Sequence, residues 1–202
     1  MNKVIIIDDR LERRKVLMSE KKIEELKNCE IQGWLTSVTE LPTSSFELET
    51  ALSEYSMIAI HRSWMVDHSV ENIIEDYIRR TNKFYIVYSG GISQNLLLNG
   101  WKRLNMNAAN FYSANLPTII KKYALGESQY PLLELLYGES WKLSILLAYR
   151  NLLWLGGMKY NQAREEELRR LLIDGSFIPD EQITMEEIGK EIEKEKYKYV
   201  ML

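Results

Sequence analysis

Lys3-Val4-Ile5-Ile6-Ile7-Asp8-Asp9-Arg10 constrains this chain more than any other stretch. Four apolar residues, three of them isoleucine, run straight into two carboxylates. An unbroken β-branched run fits a strand covered on both faces, which is the environment of a parallel sheet with helices on each side. In such sheets the functional crevice lies outside the carboxyl ends of the strands. That places Asp8 and Asp9 at a polar edge. Two adjacent carboxylates repel each other and need a cation or a hydrogen-bond donor nearby. A competing reading gives Asp9 the simpler task of capping the following helix.

Met57-Ile58-Ala59-Ile60 and Phe84-Tyr85-Ile86-Val87-Tyr88 repeat the apolar pattern, and Ile31 to Val38 is a mixed strand that Cys29 leads into. Between them lie amphipathic segments over Arg10 to Lys27, Phe46 to Glu54, and Ser69 to Arg80. The same periodicity predicts a helix over Gln94 to Leu104, a fifth strand at Asn110-Phe111-Tyr112-Ser113, and a last helix from Pro117 that Gly126 stops. Strand and helix thus alternate about five times, as right-handed crossovers require. Residues 1–126 are expected to form a doubly wound, five-stranded parallel α/β domain of flavodoxin-like topology.

Residues 127–202 are expected to form an α-helical extension. Tyr130 to Leu155 reads as one long helix or two broken near Gly138. Asn161 to Ile173 reads as a charged helix. Thr184 and Glu187 resemble a capping box that opens a final helix, before an apolar tail at Tyr199 to Leu202. Glu134, Glu139, Lys142 and Arg150 interrupt the apolar run, which argues against a membrane span. The net charge is −3, and the stretch past Gly126 has no basic helix, so nucleic acid is an unfavoured partner. The single cysteine, Cys29, rules out an internal disulfide framework and suits a reducing compartment. With no leader pattern at the start of the sequence, the expected location is cytoplasmic.

The strand ends bring several polar groups to one edge: Asp8 and Asp9; His61, Arg62 and Ser63; Ser89, Gly90 and Gly91; Ser113 and Asn115. His61 admits three readings. It is a hydrogen-bonded histidine at the sheet edge, a metal ligand beside Asp8 and Asp9, or a nucleophile or acid–base group. Ser89-Gly90-Gly91 is either a tight turn or a small phosphate-binding nest at a helix start. Trp141 and Trp154 read as core or interface residues.

Over residues 1–125 this arrangement resembles the receiver domain of two-component signalling. That family has an acidic pair after its first strand, a phosphorylated Asp ending the third, a Ser or Thr ending the fourth, and Lys-Pro after the fifth. Asp8 and Asp9 match the acidic pair, which binds magnesium in the family, and Ser89 matches the switch hydroxyl. Two positions depart from the pattern. His61 stands where the phosphoacceptor should be, and Ser113 or Asn115 where the Lys should be. The resemblance therefore implies a pseudo-receiver: a non-enzymatic bacterial signalling or adaptor protein with no required cofactor. Its helical extension would bind a protein partner or a second copy of the chain. The alternative expectation is a small hydrolase or transferase acting on a phosphate-bearing substrate. In that reading Asp8, Asp9 and His61 hold a divalent metal such as magnesium or manganese, Ser89 with Gly90 holds the phosphate, and His61 and Ser89 are the candidate catalytic groups.

Overall fold

The computed structural model describes residues 1–93, 95–98, 102–138 and 141. In chain order its elements begin with β1 (Val4–Ile7), α1 (Arg13–Leu17), α2 (Glu20–Ile31) and β2 (Leu35–Val38). They continue with α3 (Ser45–Leu52), β3 (Met57–His61), α4 (Arg62–Asp67), α5 (Glu71–Thr81) and β4 (Phe84–Ser89). The last are β5 (Leu96–Leu98), β6 (Arg103–Asn107), α6 (Ala108–Ser113), α7 (Leu116–Ala124) and α8 (Pro131–Tyr137). The strands form one sheet in the order β2-β1-β3-β4-β6-β5. Five strands are parallel, and β5 runs antiparallel to β6 at the edge. The doubly wound, five-stranded parallel architecture expected from the sequence is therefore present.

The strands are buried because successive side chains point to opposite faces and both faces are covered. Val4, Ile6, Met57, Ala59, Ile86 and Tyr88 pack with Leu26 and Cys29 of α2, Phe111 and Tyr112 of α6, and Ile119 and Ile120 of α7. Leu132, Leu133 and Leu135 of α8 join this same core, as does Trp141. Ile5, Ile7, Ile58, Ile60, Tyr85 and Val87 face the other way, onto Leu48 and Leu52 of α3, Trp64 of α4, and Ile74 and Tyr77 of α5.

Four sequence-based expectations are corrected. The segment from 94 to 104 is not a helix where it is described: Leu96–Leu98 is a strand, and β6 begins at Arg103. The fifth parallel strand is therefore Arg103–Asn107, and Asn110 to Ser113 lies in α6 instead. The reason is a period of two. Leu104 and Met106 are buried on one face, while Arg103, Asn105 and Asn107 alternate with them. Asn107 then caps α6, its Oδ1 accepting the Ala109 N–H at 2.8 Å. Finally, Arg10 to Lys27 is not continuous. It divides into α1 and α2 around Met18, with Ser19 capping α2, and Cys29 sits inside α2 instead of leading a strand.

Gly126 ends α7 with a left-handed φ of 77°, and Gly138 ends α8 with a φ of 76°. The helix after Tyr130 is thus closed at Gly138. The expectations for Trp154, for the helices over Asn161 to Ile173 and from Thr184, and for the terminal apolar tail lie outside the described residues. Among the described residues, no helix is long and apolar enough to cross a membrane.

Candidate functional site

Parallel register sets which side chains meet. Ile7 pairs with Ile60, so Asp8 follows β1 at the level where His61 ends β3. His61 in turn pairs with Tyr88 of β4. Asp8 is fully buried and His61 is 6% exposed. A carboxylate this deep requires nearly all its lone pairs to be used. Asp8 Oδ1 accepts the Arg10 backbone N–H at 2.8 Å and a bond from Arg13 Nη1. Asp8 Oδ2 accepts the Tyr112 hydroxyl at 2.5 Å and the Tyr88 hydroxyl at 3.2 Å. Burial, followed by the charge of Asp8, raises the Tyr112 phenol above its ordinary value, so it stays a donor. Tyr88 is raised for the same leading reason. Tyr88 is also wedged against Phe111, with ring centroids 4.1 Å apart, and meets the His61 ring edge-on at 5.2 Å.

Asp9 is less buried and shares the same cation. Arg13 Nη1 reaches Asp9 Oδ1 at 2.8 Å, and Nη2 reaches Oδ2 at 3.3 Å. Arg10 Nε lies 3.6 Å from Oδ2 at the rim. Ser63 donates its hydroxyl to Asp9 Oδ1 at 2.8 Å. Burial pushes the Asp9 carboxyl upward, but the bonds from Arg13 and Ser63 outweigh it and hold the group well below the usual carboxylate range. Asp9 does not cap a helix. The N-cap position of α1 is Glu12, and the carboxylate nearest the turn is that of Asp8.

His61 is the N-cap of α4, with Nδ1 accepting the Ser63 N–H at 3.3 Å. Ser63 Oγ lies 2.6 Å from the same nitrogen, and Asp9 Oδ1 lies 3.3 Å from it. Burial, then the charge of Arg13, lowers the His61 pKa, so the ring is neutral near pH 7. With Nδ1 accepting from the backbone, the ring proton belongs on Nε2. The single hydroxyl proton of Ser63 then serves either Asp9 or His61 at any moment.

Ligand atoms of Asp8, Asp9 and His61 all lie within 4.8 Å of one another, so the three expected ligands meet at one place. The donors already engaged decide how a metal would fit. Both Oδ1 atoms are bonded to the same Arg13 nitrogen, and His61 Nδ1 is engaged by Ser63. A divalent ion bridging the two carboxylates competes with Arg13 for those lone pairs.

The other strand ends do not join this cluster by any bond among the described residues. Ser89 Oγ accepts the Gly91 N–H at 3.2 Å, within its own turn. Asn107 Nδ2 donates to Ile92 O at 3.0 Å and to Gly90 O at 3.4 Å, tying the turn to β6. Gly90 and Gly91 are exposed, and neither has a left-handed φ. The helix that would complete a phosphate nest is replaced by β5. Ser113 lies in α6 and Asn115 precedes α7, so the residue ending the fifth parallel strand is Asn107.

Three members of the network, Arg13, Tyr88 and Tyr112, are not among the polar edge groups read from the sequence, which did include Ser63. Arg13 follows Asp9 by four residues, a helical ion-pair spacing, which was the one signal that pointed to it. Tested against family models, curated proteins and solved structures, the chain matches none.

Proposed function

We propose that this protein is a pseudo-receiver: a non-enzymatic signalling or adaptor protein whose α/β domain serves as a protein-binding platform. The observation that carries this reading is what stands at the ends of the strands around Asp8. β3 ends in a neutral imidazole that caps its own helix, and β6 ends in Asn107, which latches a turn. Forming an acyl phosphate takes a carboxylate at the first position, and a Lys at the second would pair with the phosphate. A neutral, hydrogen-bonded histidine and an asparagine offer neither. The charged groups that remain are satisfied internally, which favours a fixed shape over turnover. The partner is another protein or a second copy of the chain, engaged without a required metal.

Incubation with magnesium and acetyl phosphate, read by intact-protein mass and by sedimentation velocity, tests this. The expected result is no phosphoryl increment and an unchanged assembly state. A mass increment that disappears in His61→Gln, or metal-dependent phosphatase turnover that disappears in Asp8→Asn, would replace the platform with the hydrolase or transferase reading.

A further inference from the structure

We infer that the Arg13 guanidinium is the resident cation of the Asp8–Asp9 pocket, standing where a divalent metal would sit, so that the pocket takes metal only when Arg13 is removed. The inference stands independently of the platform reading, because it concerns which cation neutralises the pocket and not what the domain binds.

The two facing oxygens, Oδ1 of Asp8 and Oδ1 of Asp9, converge on one nitrogen, Arg13 Nη1. This is the bridging position a hard dication would take between two carboxylates. The outer oxygens are also engaged, with two tyrosine hydroxyls on Asp8 Oδ2 and Arg13 Nη2 on Asp9 Oδ2. The third potential ligand, His61 Nδ1, accepts the Ser63 N–H. Charge points the same way. One full positive charge lies between the carboxylates, and Arg10 adds a second at the rim, its side chain 75% exposed. Two carboxylates already balanced by two guanidinium groups exert little net pull on a dication.

The backbone makes the arrangement costly to undo. Arg13 opens α1, a five-residue helix with no buried residue. Its neighbour Arg14 bonds Ser37 Oγ at 2.8 Å and approaches Glu30 at 3.4 Å. Two arginines thus hold α1 on the sheet edge, beside the partly buried Leu17 that packs on the core. A metal that expelled Arg13 would have to loosen α1 as well.

The test is a titration with Mn2+ alone, read by paramagnetic relaxation of water protons and by thermal unfolding, on the full chain and on Arg13→Ala. Wild type is expected to show no saturable binding at millimolar Mn2+. Arg13→Ala is expected to bind saturably, with affinity raised about 100-fold or more and with a metal-dependent rise in Tm. Asp9→Asn added to Arg13→Ala is expected to abolish both effects, and Arg13→Lys, which keeps the charge, is expected to exclude Mn2+ as wild type does. If Arg13→Ala is unfolded without metal, Mn2+ should restore its far-ultraviolet circular dichroism. The inference is overturned if wild type binds Mn2+ as tightly as Arg13→Ala, or if Mn2+ neither binds nor refolds Arg13→Ala. In either case the acetyl phosphate experiment still decides the platform reading on its own.

Discussion

The carboxyl edge of this sheet has two halves built by opposite means. At the ends of β1 and β3, buried charges of Asp8, Asp9 and Arg13 are closed into a network with His61 and Ser63, and Tyr88 of β4 and Tyr112 of α6 reach in to complete it. At the ends of β4 and β6, a turn with a half-buried Ser89 and exposed Gly90 and Gly91 is held by the Ser89 hydroxyl and the Asn107 amide. The same edge therefore holds a rigid, desolvated half and a lightly tethered polar half. Their energies should differ in kind. Removing one partner from a buried ion pair leaves an uncompensated charge, whereas trimming a solvated turn leaves groups that water can satisfy.

The largest test of that contrast is Arg13→Ala. It strands the buried Asp8 carboxylate and is expected to lower unfolding free energy by about 3 kcal/mol, as urea titration without metal would measure. The Arg13 side chain is 23% exposed, which keeps the figure at the low end for buried pairs. A loss no larger than a surface substitution would erase the distinction between the halves. Tyr112→Phe should come next. It deletes one charged-acceptor hydrogen bond with almost no change of shape and is expected to cost about 1.5 kcal/mol. Ser89→Ala on the other half should cost under about 0.5 kcal/mol, so an equal loss from the two substitutions would contradict the comparison.

Acid should weaken the closed half first. The His61 pKa is lower in the folded protein than the unfolded value of about 6.5. Below that pH the unfolded chain takes up a proton that the folded chain resists. Stability is therefore full above about pH 6.5 and falls as pH drops through the window beneath it. Asp9, held low in the fold, has the same sign over a lower window, below about pH 3.9. Chemical denaturation across pH should show both slopes, and His61→Asn should remove only the upper one. The smallest effect belongs to Gly90→Ala. A Cβ there meets nothing within 4 Å and φ is not left-handed, so the substitution is expected to be neutral or to stabilise by about 0.5 kcal/mol. A loss above about 1 kcal/mol would mean that the turn is more tightly built than it looks.

The parallel sheet was legible because β1, β3 and β4 are apolar on both faces, a pattern with few other solutions. The last third of the sheet was misread for an equally physical reason. Leu96, Leu97, Leu98, Trp101 and Leu104 satisfy a helical spacing, and this masked both the turn-prone Asn99-Gly100 dipeptide and the strict alternation from Arg103 to Asn107. That Asp8, Asp9 and His61 meet was legible from the strand ends alone, since topology fixes that edge. The cation between the carboxylates was not foreseen, because Arg13 reads as one more charged residue of an amphipathic helix. The break at Met18 was likewise missed, although Ser19, the N-cap of α2, is a residue type that favours a helix start. Tyr112 was lost with the misplaced strand.

The antiparallel ribbon at the sheet margin also has a consequence for biogenesis. Leu98 lies opposite Arg103, only five positions on in the sequence, whereas the parallel pairings among the described strands join segments farther apart in the chain. Among the described strands this ribbon has the most local pairing, and antiparallel ribbons of local contacts form in about microseconds. On a ribosome, β4 emerges with the aromatic, apolar edge Phe84–Ser89 open until Asn107 has been made. That exposed edge is a template for aggregation. A ribbon that assembles before it docks seals the edge in one step, and substitutions that slow the ribbon should appear first as poor yield during synthesis, with the finished fold left as stable as before.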